Sequence, residues 1–144
     1  MTTPLVRIVD DDADARSSSS FFLSMMGLEI KEYDSAYRFL EEDDMNRPGC
    51  IILDVRMPDM TGMELQVKLN QKNCRLPIIF LSGHGELDMA VHALKRGASD
   101  FLQKSAKPER LLAAVKKAVT ASMEEFESDS EIETLRKIYD SLTP

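Results

Sequence analysis

Cysteine is scarce in this chain, and no run of about 18 apolar residues occurs anywhere in its 144 positions. The missing run excludes a transmembrane helix. The opening "MTTPLVRIVDDDADAR" lacks a basic segment followed by an apolar one, so a secretory signal is not expected either. Cys50 begins an apolar stretch and Cys74 lies near a turn. Two cysteines so placed read as reduced residues of a cytoplasmic protein, not as a disulfide framework. Positive charge is also short. Eighteen basic residues against 25 acidic ones give a formal charge of −7, which argues against direct nucleic-acid binding by this segment. What is present suffices for one domain with a real core and a short appendage: 43% of the residues are hydrophobic and 30% charged.

Apolar strand-like runs alternate with segments of helical period. "LVRIV" (5–9) precedes a helical stretch from Ala13 to Met26, which Gly27 closes. "LEIKEY" (28–33) alternates apolar and polar as a half-exposed edge strand does. Ser35 caps a short helix carrying Phe39 and Leu40, and "CIILD" (50–54) is an unbroken buried strand. Gly62 to Gln71 is helical, and Pro77 opens the strand "PIIFLS". A helix from about Glu86 ends at Gly97. "DFLQ" (100–103) is a fifth strand, and Pro108 sits in the first turn of a last helix. Five strands alternating with five helices predict a doubly wound parallel sheet covered on both faces.

In such a sheet, ligands bind at the carboxyl ends of the strands, and there the unusual residues gather. Asp10, Asp11 and Asp12 follow the first strand, and Asp54 ends the third. Ser82 ends the fourth, and Lys104 follows the fifth. Neighbouring aspartates raise one another's pKa unless a cation is present. "DDDAD" alone reads equally well as an acidic helix N-terminus favoured by the dipole. Joined by Asp54, it is a cage of hard oxygens suited to Mg²⁺, which takes one or two carboxylates, waters and a phosphate. A flavin phosphate would be repelled by this loop. A phosphate hydrolase with an aspartate nucleophile usually has a second aspartate two residues later, where Arg56 stands here.

The motifs "VDD" (9–11), "DVRMPDMTG" (54–62), "FLSGHG" (80–85) and "DFLQK" (100–104) together resemble the receiver domain of bacterial two-component response regulators. The resemblance spans residues 5 to about 122. It implies a flavodoxin-like (βα)5 sheet of strand order 2-1-3-4-5. It further implies that Asp54 accepts a phosphoryl group from the phosphohistidine of a sensor histidine kinase. Asp11 is then the direct Mg²⁺ ligand, Asp10 holds metal waters, and the backbone carbonyl of Arg56 is a further ligand beside Asp54. Lys104 and the hydroxyl of Ser82 contact phosphoryl oxygens, and Ser82 and Phe101 form the switch. On this reading the chain is a signalling domain that assists its own phosphorylation and dephosphorylation, not an enzyme in the ordinary sense. The alternative is a degenerate receiver that regulates by contact alone.

Residues 1–123 are thus expected to form the receiver, and 124–144 a linker helix with Ile132, Leu135, Ile138 and Leu142 on one face. "YDSLTP" and "SGHGELDMAVHALKRGASDFL" resemble the FixJ/LuxR-type transcriptional regulators. That likeness implies a following helix-turn-helix domain that contacts DNA, and dimerisation on phosphorylation through residues 86–103. No membrane contact is expected. One departure stands out. "QKSAKPE" lacks the family's usual Lys-Pro after the fifth strand, so the active lysine is either Lys104 or Lys107. Spacing favours Lys104, followed by a trans peptide to Ser105, since a cis bond before a non-proline residue costs about 2.5–4 kcal/mol.

Overall fold

A computed structural model of the chain, describing residues 3–83 and 87–142, contains five strands and five helices in strict alternation. The strands are β1 (Leu5–Val9), β2 (Glu29–Tyr33), β3 (Gly49–Asp54), β4 (Ile78–Ser82) and β5 (Asp100–Gln103). The helices are α1 (Ala13–Met25), α2 (Ala36–Glu42), α3 (Gly62–Gln71), α4 (Leu87–Lys95) and α5 (Pro108–Leu142). All neighbouring strands pair in parallel, in the order β2-β1-β3-β4-β5. The doubly wound order expected from the sequence is therefore present. The Lys104–Ser105 peptide is trans, as are the other described peptide bonds.

The two-residue repeat of the strands sorts the core into two layers. Val6, Ile8, Cys50, Ile52, Ile79 and Leu81 pack with Leu23 of α1 and with Leu111, Val115 and Val119 of α5. Val9, Ile51, Leu53, Ile78 and Phe80 face the other way, onto Phe39 of α2, Leu65 and Leu69 of α3 and Ala93 of α4. β3 is buried along its whole length, whereas β2, at the edge, buries only Tyr33. Met57 and Met60 are buried in the second layer, and Cys50 and Cys74 are both free thiols.

Arg7 is a charged residue with no exposed surface, in the middle of β1. Its guanidinium pairs with Asp43 (Nε to Oδ2, 3.2 Å) and donates to the carbonyls of Leu5 and Arg47, both at 3.0 Å. Asp43 also accepts from the Tyr33 hydroxyl at 2.6 Å and from the Met45 N–H at 2.8 Å. The buried cation is thus neutralised and each of its three nitrogens has an acceptor, as burial in a sheet demands.

The last helix and the expected linker helix form one continuous element. It runs unbroken from Pro108 to Leu142, straight through the acidic change of composition at 124–133. Glutamates are good helix formers, so a change of composition need not end a helix. Arg75 holds this part of α5 to the domain, pairing with Asp129 and stacking 5.0 Å above the Phe126 ring.

Candidate functional site

The carboxyl ends of β1, β3, β4 and β5 converge on one acidic cluster, and its arrangement is set by strand register. Asp10 follows Val9, which lies beside Leu53, so Asp10 and Asp54 emerge side by side. Ser82, fully buried, ends β4 opposite Gln103, and its carbonyl accepts the Lys104 N–H at 2.7 Å. That bond delivers the lysine to the mouth of the site.

One oxygen from each of Asp10, Asp11 and Asp54 lies within 4.8 Å of the others. Asp10 and Asp54 are buried, and Asp11 is exposed. Lys104 Nζ sits 3.0 Å from Asp10 Oδ2 and 3.5 Å from Asp54 Oδ1. Lys107 occupies a different position. Its carbonyl accepts the Arg110 N–H at the start of α5, so it belongs to the helix entry. Arg56 directs its backbone N–H at Asp54 Oδ1, 3.4 Å away. Phe101, half-buried on β5, packs against Phe80 with ring centroids 5.9 Å apart. Of the two histidines, His92 is exposed on α4, while His84 lies outside the described residues, with Gly85 and Glu86.

The aspartate run is divided by the structure between two tasks. Asp12 caps α1, its Oδ1 accepting the N–H groups of Asp14 (3.0 Å) and Ala15 (3.2 Å). Asp10 and Asp11 turn to the cluster. The helix-cap and cation readings of "DDDAD" thus both apply, to different residues. Three supports escaped the sequence reading. Arg16 donates to the Asp10 carbonyl at 2.6 Å, the Asp10 N–H is held by the Tyr33 carbonyl at 3.1 Å, and Gly62 seats the loop after β3.

Burial, and then the charge of Asp10, push the Asp54 carboxyl up to about 7, against the opposing pull of Lys104. Lys104 responds in the other sense. Burial would lower it, but its hydrogen bond to Asp10 and the two carboxylate charges raise it above the ordinary lysine value. One ammonium therefore does not neutralise the site. The donor set is all hard oxygen, with negative charge in excess of its single lysine, and it suits a small divalent cation.

Gly62 opens α3 directly against the end of β3, its N–H on the Val55 carbonyl at 3.0 Å. A Cβ there would lie 2.2 Å from the Asp54 backbone oxygen. Gly62→Ala must therefore push α3 off the strand end, at a cost of about 1–3 kcal/mol. Thermal unfolding should show a melting temperature several degrees lower, and an unchanged midpoint would contradict the close approach.

Fold and site together define a class of protein: a doubly wound α/β domain with a carboxylate cluster and a lysine at the carboxyl edge of its sheet. The chain belongs to the response regulator receiver domain family, which it matches over residues 6–116. It is 40% identical over 139 residues to the response regulator protein TmoT of Ectopseudomonas mendocina, covering 96% of this chain and 63% of that one. It is also 40% identical over 118 residues to the transcriptional regulatory protein FixJ of Rhizobium meliloti, covering 82% of this chain and 58% of that protein. Among solved structures, the response regulator StyR superposes with a TM-score of 0.93 at 35% identity, over 98% of this chain and 71% of that one. FixJ-N superposes with a TM-score of 0.77 at 38% identity, over 83% and 96%. The chain thus spans less than two thirds of the length of these curated relatives.

Proposed function

We propose that this receiver domain accepts a phosphoryl group on Asp54 from the phosphohistidine of a sensor histidine kinase, with Mg²⁺ bound, and thereby controls a transcriptional regulator. The observation that carries this reading is the convergence of Asp10, Asp11, Asp54 and Lys104 at one point of the sheet edge. The complete set speaks against a degenerate receiver that works by contact alone.

Asp10, Asp11, Asp54 and the Arg56 carbonyl would hold the Mg²⁺. Bound there, the ion neutralises the carboxylates and the charge that grows on the phosphoryl oxygens. The Asp54 carboxylate attacks phosphorus. A P–O bond forms as the P–N bond breaks, the bonding pair leaves with the imidazole, and an acyl phosphate remains. Lys104 pairs with one phosphoryl oxygen, and the Ser82 hydroxyl donates to another. Ser82 moving toward that group would vacate space into which Phe101 turns.

This movement is felt on the face of α4 and β5, where Leu87, Val91 and Leu94 stand exposed at helical spacing. Dimerisation on phosphorylation through residues 86–103 is the proposed output, Glu86 lying outside the described residues. DNA would be contacted through a helix-turn-helix domain C-terminal to residues 124–144. The setting would be the cytoplasm, and among the described residues no helix is long and apolar enough to cross a membrane.

The two carboxylates after β1 should differ in their contribution to metal affinity. Asp10 already has both oxygens engaged, by the Asp12 N–H at 3.0 Å and by Lys104. Asp11 is exposed and has an oxygen in the cluster, so it would be the direct ligand. In a Mg²⁺ titration followed by calorimetry, Asp11→Ala should weaken binding by more than about tenfold. Asp10→Ala should weaken it less, and equal losses would contradict the ranking. Incubation with acetyl phosphate and Mg²⁺, read by intact mass, tests the function itself.

A further inference from the structure

The outer part of α5 has no work in the receiver. From Glu131 to Leu142 every residue is exposed, and the helix continues beyond the Arg75–Asp129 and Arg75–Phe126 contacts that hold it to the domain. A helical end standing in water gains little free energy from its own hydrogen bonds. This one nevertheless carries large apolar side chains, Leu135 being 66% and Leu142 76% exposed.

Their spacing is that of a coiled-coil seam. Ile132, Leu135, Tyr139 and Leu142 follow one another at intervals of three, four and three, the a-d-a-d positions of two heptads. A β-branched residue at a with leucine at d, as in Ile132 and Leu135, favours a parallel two-stranded pairing. The flanking charges agree. Glu131 falls at g and Arg136 at the following e, positions that meet across a parallel in-register pair with opposite sign. Glu133, Lys137 and Asp140 fall on the outer positions, where Lys137 and Glu133 already pair within the helix at 3.9 Å.

We propose that residues 131–142 form a parallel two-stranded coiled coil with the same residues of a second copy of this chain. The seam is Ile132, Leu135, Tyr139 and Leu142, and Glu131 of each copy faces Arg136 of the other. This surface is separate from the α4 and β5 face and needs no phosphoryl group. It would hold two receivers near one another before signalling, so that a phosphorylation-dependent contact between them becomes intramolecular.

Sedimentation equilibrium on the unphosphorylated chain of residues 1–144 tests this, at low ionic strength and from about 10 µM to about 1 mM. The expected result is a weight-average mass rising with concentration from one chain towards two. Leu135→Asp should raise the dissociation constant at least about tenfold, because it places a charge in the seam. Arg136→Glu should also weaken association, through repulsion by Glu131, and the double swap Glu131→Arg, Arg136→Glu should restore it. The melting transition of the receiver should be unchanged in these variants, since residues 131–142 lie outside its core. A single-chain mass at every concentration would overturn the proposal and leave the seam to another part of a longer protein or to a different partner. Leu135→Asp associating as tightly as wild type would place the contact elsewhere, and a double swap that fails to restore association would overturn the parallel pairing.

Discussion

Asp54→Asn should gain no mass on incubation with acetyl phosphate and Mg²⁺, whereas the wild-type chain gains that of one phosphoryl group. An amide has no anionic oxygen with which to form an acyl phosphate, and its neighbours cannot replace it. Asp10 is held by Lys104 and the Asp12 N–H, and Asp12 is spent on capping α1. The fold should survive. The substitution is close to isosteric and removes a carboxyl that burial and Asp10 have pushed up to about 7, so the melting temperature should hold or rise. A mass gain in the variant, or phosphorylation of another aspartate in the wild type, would refute the assignment. A marked loss of stability would refute the account of the repulsion.

The largest effect on stability is expected from Asp43→Ala. The substitution leaves the fully buried Arg7 guanidinium without its counter-ion and strips the Tyr33 hydroxyl and Met45 N–H of their acceptor. Breaking one side of a buried pair costs about 3–5 kcal/mol, a large part of the 5–15 kcal/mol that holds a typical domain together. Denaturant unfolding should show this loss, and one below about 1 kcal/mol would mean that water reaches Arg7. Replacing the pair with apolar residues, as Arg7→Met with Asp43→Leu, should recover only the part due to the unpaired cation, because the Tyr33 hydroxyl and Met45 N–H still lack their acceptor.

The same pair predicts a pH dependence. Burial alone would raise the Asp43 pKa, but the hydrogen bonds from Tyr33 and Met45 and the charge of Arg7 outweigh it and hold the group below the ordinary carboxylate value. The unfolded chain therefore binds this proton first as pH falls. The contribution of Asp43 is complete above about pH 5 and is lost as pH drops below about 4 and on through the native pKa. The acid limb of the stability curve should flatten in Asp43→Ala. The network also reaches the site, because the carbonyl of Tyr33 holds the Asp10 N–H.

Strand and helix identities were legible because the strands are short and either apolar or, in β2, alternating, and because caps, glycines and prolines punctuate the chain between them. "CIILD" and "DFLQ" read as strands, and Gly62–Gln71 as a helix, with the limits they have in the structure give or take a residue. The convergence of Asp10, Asp11, Asp54 and Lys104 was legible too, since a doubly wound sheet brings successive strand ends to one edge. Where Lys104 and Lys107 competed, the helix register starting at Pro108 was already enough to separate them. Arg7 was not legible. In a strand read as uniformly apolar, nothing local marks a buried cation whose partner lies 36 residues away on a loop. The unbroken course of α5 was not legible either, because composition changes at 124 while helical propensity does not.

The sequence by itself determined the alternation of elements, the parallel sheet it implies, and the set of side chains placed at the sheet's carboxyl edge. These follow from hydrophobic period and chain connectivity, which are local properties. Only the tertiary structure decided which aspartate caps α1 and which face the cluster, how Arg7 is neutralised, why Gly62 must be glycine, and which surface α5 leaves uncovered. Each of these depends on atoms from distant parts of the chain meeting within a few ångströms, and no spacing along the chain encodes that meeting.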